Sequence, residues 1–292
     1  MMHFIQAIVA GALNLIIQIL PVRLACLVAR GLGDIIYVIS FKRRKVAMAN
    51  VEKAFGPSFS VKEKRQVVRG CFQNTALSIM DLFIVNKIKS QAEQLFEVQG
   101  LENYKSALQG GRGVVLVTSH LGSWENLAFL FYLTKTQGSV VVKKMANHHV
   151  DYRVNEARRQ TGLHPISKKN SIREVLKELH ANHTVAILID QWAGREGIWQ
   201  KFFGQYTSTT SLPARLLNRT GCALLPAFCL RGRNGKFEIK IYPPLMPAAA
   251  EKLSDAAITK KLNDILESEI RQHPRQWSWA HRRWKSKPAE TR

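Results

Sequence analysis

Residues 113–133 read GVVLVTSHLGSWENLAFLFYL, and this stretch joins a strand pattern to a helix pattern. The unbroken apolar run at residues 114–117 is typical of a strand buried on both faces, as in a parallel sheet. The apolar residues that follow residue 126 favour a helix. Gly122 permits a tight turn between the two, and Ser123 is of the residue type that caps helices. The stretch therefore predicts an α/β chain with a strand–turn–helix corner.

His120 and Glu125 lie at this corner. In one continuous helix, a spacing of five residues would set the two side chains well apart around the axis. Across a strand–turn–helix corner, the first helical turn brings Glu125 back under the imidazole. The pair predicts a histidine base that is oriented by a carboxylate, with no evident serine or cysteine nucleophile beside it.

The alternation of strands and helices continues to the C-terminus. Further strands are expected at residues 139–142, 184–189, 222–230 and 237–242, and further helices at residues 150–160, 171–180, 210–219 and 254–272. We expect an α/β fold whose central, mostly parallel sheet is flanked on both faces by helices. Residues 1–95 have helical patterns throughout, including a capping box at Ser60 and Glu63. The predicted division is a helical membrane-anchoring region at 1–95 and an α/β domain at 96–292.

Polar residues follow two of the predicted strands. His120 follows the first, and Asp190 and Gln191 follow the strand at 184–189. In parallel sheets, sites form at the carboxyl ends of the strands, so these side chains are expected at one edge. Arg158 and Arg159, on the helix at 150–160, are candidate phosphate ligands near the same edge, because arginine binds phosphate bidentately.

The stretch after Asp190 is predicted to be a polar loop with interspersed aromatics. It contains Arg195, and it ends in Thr207-Ser208-Thr209-Thr210, which is expected to cap the following helix. Backbone amides at such a helix start can bind an anion or an oxyanion.

The charge of the chain is its strongest compositional feature. Lysine and arginine number 43 against 21 acidic residues, a formal net charge of +22. Such an excess implies a polyanionic partner: nucleic acid, an anionic membrane, a phosphorylated substrate or an acidic carrier protein. The four cysteines form no Cys-x-x-Cys pair, which indicates neither a zinc site nor a disulfide framework. No P-loop, Gly-x-Gly-x-x-Gly or Gly-x-Ser-x-Gly motif supports an NTPase, a dinucleotide enzyme or a serine hydrolase.

The N-terminus is uncharged and apolar at residues 4–20, a length at the short limit of a spanning helix. The basic segment Lys42-Arg43-Arg44-Lys45 follows it, whereas a signal peptide carries its positive charge before the apolar run. We interpret the N-terminus as an uncleaved anchor that spans or lies in the membrane interface, with the rest of the chain cytoplasmic. The alternative is a buried core helix.

Near the C-terminus, residues 273–285 interleave aromatic and basic side chains. This pattern is typical of nucleic-acid binding and also of a lipid interface, and spacing alone does not choose between them.

Together these motifs resemble the bacterial lipid A late acyltransferases (lauroyl/myristoyl acyltransferases) of the lysophospholipid acyltransferase superfamily. The similar blocks are residues 43–51, the His120-x-x-x-x-Glu125 signature, residues 190–210 and residues 279–285. The resemblance implies transfer of a fatty acyl chain from acyl-carrier protein to a hydroxyl of an acylated glucosamine disaccharide, at the cytoplasmic face of the bacterial inner membrane. It implies that His120 is the general base, with Glu125 as its partner. We expect no cofactor and no metal. The residues assigned to substrate binding are Arg158, Arg159, Asp190, Gln191, Arg195, Thr209 and Thr210.

Other hypotheses stay open at this point. The acceptor can instead be a lysophospholipid, an aminolipid or a phosphoinositide mannoside, and the donor can be an acyl-coenzyme A. A hypothesis from another class is a non-enzymatic protein that binds nucleic acid or a membrane surface through its basic, tryptophan-rich tail. No recognised nucleic-acid motif occurs, so no nucleic-acid partner is expected.

Overall fold

The computed structural model describes residues 19–167, 171–232, 235–246 and 253–285. Most of the apolar N-terminal run, residues 4–18, lies outside these ranges. The helices of the N-terminal region are α1 (Val22–Ile39), α2 (Phe41–Phe55), α3 (Val61–Phe83), α4 (Val85–Lys89) and α5 (Ala92–Leu95). The helical prediction for residues 1–95 is confirmed for the described part, residues 19–95, and so is the capping box of Ser60 and Glu63 at the start of α3. The division of the chain at residue 95 stays a prediction.

Strands and helices alternate through the remainder of the chain. They are β1 (Phe96–Gln99), α6 (Leu101–Gln109), β2 (Val114–Thr118), a 3-10 helix (Trp124–Ala128), α7 (Phe129–Thr134), β3 (Gly138–Val142), α8 (His148–Arg159), β4 (Leu163–Ser167), α9 (Ser171–His180), β5 (Thr184–Leu188), β6 (Ile198–Phe202), β7 (Gln205–Thr209), α10 (Leu212–Thr220), β8 (Ala223–Arg231), β9 (Phe237–Ile241) and α11 (Asp255–Gln272).

In the described residues, seven strands form the central sheet, in the order β1-β9-β8-β2-β5-β3-β4. The pair β8–β9 is antiparallel and the other neighbours are parallel, which confirms a mostly parallel sheet. Val115 and Leu116 on β2 pack into two different core clusters. Successive side chains of a strand point to opposite faces, so both faces of the sheet are covered.

The register of β2 and β5 positions the site. Thr118 pairs with Leu188, and the amide of Ile189 donates to the carbonyl of Thr118 at 3.0 Å. Continued by two residues, this register sets His120 level with Asp190. The prediction that both residues lie at one sheet edge follows from this parallel pairing and is confirmed.

Three local predictions are wrong. The corner after β2 continues as a 3-10 helix before α7 begins at Phe129, so the first turn is tighter than that of the predicted α-helix. The stretch predicted as a polar loop contains the hairpin β6–β7. Thr209 therefore lies in a strand, and α10 begins at Leu212.

No single helix within the described ranges is long and apolar enough to span a membrane. Two consecutive helical segments, Val22–Ile39 and Phe41–Ser58, meet that test only together, and they are bent by 93° at the break between them. A spanning anchor is therefore not confirmed. Helix α1 does expose large apolar side chains, among them Leu27, Ile35 and Ile39.

Candidate active site

The turn that carries His120 is held by close backbone contacts. Gly122 has φ +67°, and a Cβ built on it would lie 2.1 Å from the carbonyl oxygen of Cys229 on β8. The amide of Ser123 donates to that same oxygen at 2.7 Å. Leu121 forms an antiparallel bridge with Trp277. Glycine is required here by both the left-handed backbone and the close approach of β8.

The His120 imidazole is paired with the Asp190 carboxylate. Nδ1 of His120 lies 2.9 Å from Oδ1 of Asp190, and the His120 amide donates to Oδ2 at 2.9 Å. The indole Nε1 of Trp277 donates to Oδ2 at 2.9 Å. An ionised carboxylate only accepts hydrogen bonds, so Nδ1 carries the proton and Nε2 has a free lone pair. This is the arrangement that a histidine needs to act as a general base.

Burial and charge act in opposite directions on this pair. Burial alone would lower the pKa of His120, but the charge and hydrogen bond of Asp190, with a smaller contribution from Glu125, raise it above its ordinary value. Burial would raise the pKa of Asp190, which is 3% exposed, but His120 and Trp277 lower it to about 2. Asp190 therefore stays ionised near neutral pH and stabilises the imidazolium when one forms.

Glu125 binds a different partner from the one predicted. Its carboxylate accepts from Nε of Arg158 at 2.9 Å and from Nη2 at 2.7 Å. Both side chains are nearly buried, at 12% and 13% exposed. The prediction that Glu125 orients the imidazole by direct contact is wrong, because the parallel neighbour β5 supplies Asp190 for that contact. Glu125 still acts on His120 through its charge.

Arg158 retains hydrogen-bonding capacity. Three of its N–H groups are used, two on Glu125 and one on the Oδ1 atom of Asn155 at 3.1 Å. A guanidinium has five N–H donors, so two remain without a hydrogen-bond partner within the described ranges. A rigidly held guanidinium with free donors is suited to bind an oxyanion or a phosphate.

His120, Glu125 and Arg158 line one cavity of about 550 Å³. Its polar wall also includes Lys143, Gln191 and Thr210, and its apolar wall includes Leu116, Leu127, Phe131, Val140, Leu163 and Ala186. The apolar residues belong to β2, β3, β4, β5, α7 and the 3-10 helix, so they extend below the sheet edge into one of the two core clusters. The cavity thus combines a polar wall that includes His120 with a wall suited to a hydrocarbon chain.

Four of the residues assigned to substrate binding do not line this cavity. Asp190 is buried, and its carboxylate is paired with His120. Arg159 is exposed and pairs with Glu156 at 3.4 Å. Arg195 is exposed outside the lining. Thr209 is fully buried, and its hydroxyl accepts from Nη2 of Arg283 at 2.6 Å. In this structure Thr209 holds the hairpin to the C-terminal segment, because its side chain is already engaged by a buried guanidinium.

Part of the C-terminal aromatic and basic block, residues 273–285, is buried and supports the site from inside the protein. Trp277, Trp279 and Arg283 are almost fully buried. Arg283 donates from Nη1 to the carbonyl oxygens of Gln191 and Ser208, at 2.7 and 2.9 Å, and burial lowers its pKa to about 10. The expectation that this block forms a nucleic-acid or lipid surface is wrong for these three residues. The aromatic and basic composition of the block indicates a binding surface, but composition does not show which of these side chains are buried.

A second buried network was not foreseen from the sequence. The hydroxyl of Ser123 donates to Oδ2 of Asp81 at 2.5 Å, and Nη2 of Arg231 binds the same carboxylate. Nε of Arg231 donates to Asn74 at 3.2 Å, and Asn74 donates to the carbonyl of Gly122 at 2.7 Å. These bonds fasten the His120 turn to α3 and to the end of β8. Asp81, 1% exposed, carries no sequence motif that would mark it.

The comparisons with known proteins identify the family of the chain. Residues 2–286 match the family described as "Bacterial lipid A biosynthesis acyltransferase". The chain belongs to this family of acyltransferases.

Its relatives include proteins named for lipid A biosynthesis and a protein named for phosphatidylinositol mannoside. It is 26% identical to "Lipid A biosynthesis palmitoleoyltransferase" of Escherichia coli (strain K12) over 282 residues, which are 95% of this chain and 90% of that protein. It is likewise 26% identical to "Lipid A biosynthesis lauroyltransferase" of the same organism over 286 residues, with the same coverage. It is 29% identical to "Phosphatidylinositol mannoside acyltransferase" of Mycobacterium tuberculosis (strain ATCC 25618 / H37Rv) over 200 residues. That match covers 67% of this chain and 62% of the mycobacterial protein.

Proposed function

We propose that this protein is a membrane-bound O-acyltransferase that moves a fatty acyl chain from a thioester to a hydroxyl of a lipid A precursor. The observation that carries the proposal is that His120 lines a partly apolar cavity and is hydrogen-bonded to the buried carboxylate of Asp190. Family membership supports the reaction class, and relatives named as lipid A acyltransferases match over 95% of the chain.

His120 acts as the general base in the proposed mechanism. Nε2 takes the proton of the acceptor hydroxyl as its oxygen attacks the thioester carbonyl carbon. The resulting tetrahedral oxyanion collapses, the carbon–sulfur bond breaks, and the thiolate takes the proton from Nε2. Because a thioester is already an activated acyl group, no covalent acyl-enzyme is needed. Asp190 fixes the tautomer and stabilises the transient imidazolium, in the manner of the carboxylate of a catalytic triad.

Arg158 and Glu125 have an electrostatic role in this proposal. Glu125 holds Arg158 against the cavity by two hydrogen bonds. The two remaining N–H donors of Arg158 stabilise the oxyanion or bind a phosphate of the substrate. Gln191 and Thr210, which share the cavity wall, are the other assigned residues that we retain as substrate contacts.

The net positive charge of the chain and the exposed face of α1 support the proposed partners and location. A net charge of +22 suits an acidic acyl-carrier protein or an acyl-coenzyme A as donor, a phosphorylated lipid as acceptor and an anionic membrane surface. The exposed apolar face of α1, followed by Lys42-Arg43-Arg44-Lys45, suits an interfacial position at the cytoplasmic face of the inner membrane.

A phosphatidylinositol mannoside is the second candidate acceptor. The 29% identity to a protein named for that substrate favours it, although the match spans 62% of that protein's length. Both acceptors present a hydroxyl on a phosphorylated, acylated glycolipid, so the same base and cavity serve either reaction.

The test is mass spectrometry of lipid A and of phospholipids after deletion of the gene in its source organism. The strain is complemented with the wild-type protein, with His120→Ala, or with His180→Ala as a matched control. His180 is an exposed histidine at the C-terminal end of α9, which precedes β5, and it does not line the cavity. We expect a lipid A that lacks one secondary acyl chain and that is restored by the wild type and by His180→Ala only. A changed mannoside with intact lipid A would select the second acceptor, and full restoration by His120→Ala would refute the mechanism.

A further inference from the structure

A second cavity, of about 770 Å³, lies beside the N-terminal helices. It is enclosed by α1, the C-terminal half of α3, and the segment that leads into β9. Its apolar wall includes Leu77, Ile84, Ile88 and Phe237. No residue lines both this cavity and the one that contains His120. Its volume is within the range of roughly 300–1,000 Å³ that is typical of small-molecule sites.

The charged residues of this cavity are mostly cations. Asp81 and Arg231 neutralise each other in their ion pair. Arg23, Arg30 and Lys236 also line the cavity, are exposed, and form no ion pair within the described ranges. The cavity therefore presents an uncompensated charge of three, which favours an anion beside its apolar wall.

The cavity is continuous with the exposed apolar face of α1. Leu27 lines the cavity and is also 62% exposed. On the same helix, Leu24, Leu32, Ile35 and Ile39 are exposed. An apolar helix face of this kind lies in the acyl region of a membrane interface, with basic side chains at the headgroup level. A hydrocarbon chain could enter the cavity along this face without crossing water.

We propose that this cavity binds an anionic phospholipid of the surrounding membrane, with one acyl chain among the apolar residues and the phosphate among Arg23, Arg30 and Lys236. The bound lipid contacts Arg231 and α1 together, and so joins the membrane surface to the network that holds the His120 turn. This inference does not rest on acyl transfer, because none of these residues lines the catalytic cavity.

Cys26 provides a probe inside the cavity. It lines the wall and is partly exposed, whereas Cys71, Cys222 and Cys229 are buried. Burial raises the pKa of all four thiols, so alkylation is performed at mildly alkaline pH, where exposure selects Cys26. A lipid chain that occupies the cavity shields this thiol.

The experiment measures the rate of Cys26 alkylation by N-ethylmaleimide, read by peptide mass spectrometry. The full chain carries His120→Ala, so that no turnover consumes lipid, and it is placed in phosphatidylcholine nanodiscs with or without phosphatidylglycerol. We expect phosphatidylglycerol to slow alkylation at least about fivefold, the effect of roughly one basic residue on an anionic headgroup. Equal rates in the two kinds of disc would overturn the proposal. Equal protection by soluble glycerol phosphate would overturn the acyl-chain part of it.

Charge variants test the headgroup contacts. The triple variant Arg23→Gln, Arg30→Gln, Lys236→Gln is expected to lose the protection by phosphatidylglycerol. The control is the triple variant Lys62→Gln, Arg65→Gln, Lys261→Gln, which removes the same charge from exposed residues outside the cavity. This control is expected to keep the protection by phosphatidylglycerol. Equal loss of protection in both variants would refute a specific site. Because the readout is shielding of a thiol, a failed acyltransferase proposal would leave it unaffected.

Discussion

Oδ1 of Asp190 lies 2.9 Å from Nδ1 of His120, although the two residues are 70 positions apart in the chain. The contact exists because β2 and β5 are parallel neighbours. Their paired residues, such as Thr118 and Leu188, are also 70 positions apart in the chain. Asp190 and His120 are therefore expected to act as one unit.

Replacement of Asp190 by Asn is expected to lower the turnover number by roughly 10²–10⁴-fold, the range of general-base contributions. The amide can still accept from Trp277 but does not stabilise an imidazolium by charge. The measurement is the initial rate of acyl transfer by purified protein, with a thermal melt to establish folding. Asp264→Asn removes an exposed carboxylate from α11 and serves as the control. An unchanged rate in Asp190→Asn would exclude Asp190 from the mechanism.

The pH dependence of the rate should report the raised pKa of His120. A general base must be neutral, so kcat/KM is expected to rise with pH and to level off above a pKa that exceeds the ordinary histidine value of about 6.5. Removing the Asp190 charge lowers the pKa of His120, so Asp190→Asn should move this acidic limb to lower pH. A limb that moves to higher pH in this variant would contradict the assigned cause.

Glu125 and Arg158 should be coupled in stability. Each is nearly buried and each holds the other by two charged hydrogen bonds. A double-mutant cycle with Glu125→Gln and Arg158→Met is expected to give a coupling energy of roughly 1.5–3 kcal/mol in the free energy of unfolding. In the pH profile, Glu125→Gln should shift the acidic limb less than Asp190→Asn does, because Glu125 acts on His120 without a hydrogen bond. An equal shift would contradict the weaker coupling of Glu125 to His120.

Asp81 and Asp34 offer a matched comparison of buried and exposed ion pairs. Asp81 is 1% exposed and pairs with Arg231, whereas Asp34 is 31% exposed and pairs with Arg69. Asp81→Asn leaves a buried guanidinium without its counter-charge and should lower the free energy of unfolding by roughly 3–5 kcal/mol. Asp34→Asn should cost less than about 1 kcal/mol. Denaturant melts compare the two, and similar losses would argue against a structural role for the Asp81 network.

Alanine substitutions at Gly122 and Gly111 distinguish the effect of backbone strain from that of a close contact with a neighbouring strand. Both have φ +67°, but a Cβ on Gly111 meets no atom within 4 Å. Gly111→Ala should therefore cost only the left-handed penalty of about 1–2 kcal/mol. Gly122→Ala additionally displaces the turn from β8, so it should lower both acyl transfer and the melting temperature well beyond that. Equal effects in the two variants would show that the contact with Cys229 is unimportant.

Much of the fold could be predicted because a strand in a sheet that is covered on both faces is a short, continuous run of apolar residues. The bounds of β2 agree within one residue with the apolar run at 114–117, and those of α9 agree with the helix predicted at 171–180. The strands β1 and β4 were missed, since β4 contains His164 and Pro165 and has no apolar run. The hairpin β6–β7 was missed because its polar residues are buried by hydrogen bonds to Arg283 and other groups, a property that composition does not report.

The amino-acid sequence alone was sufficient for the alternation of strands and helices, the family motifs and the edge at which His120 and Asp190 lie, because each depends on local patterns and on the direction of parallel strands. The tertiary structure decided which carboxylate contacts the imidazole. A hydrogen bond forms only within about 3 Å and at a suitable angle, and that geometry depends on strand register and on neighbouring elements. The tertiary structure also decided the burial of Trp277, Trp279 and Arg283, because that burial depends on the hairpin and helices that cover them.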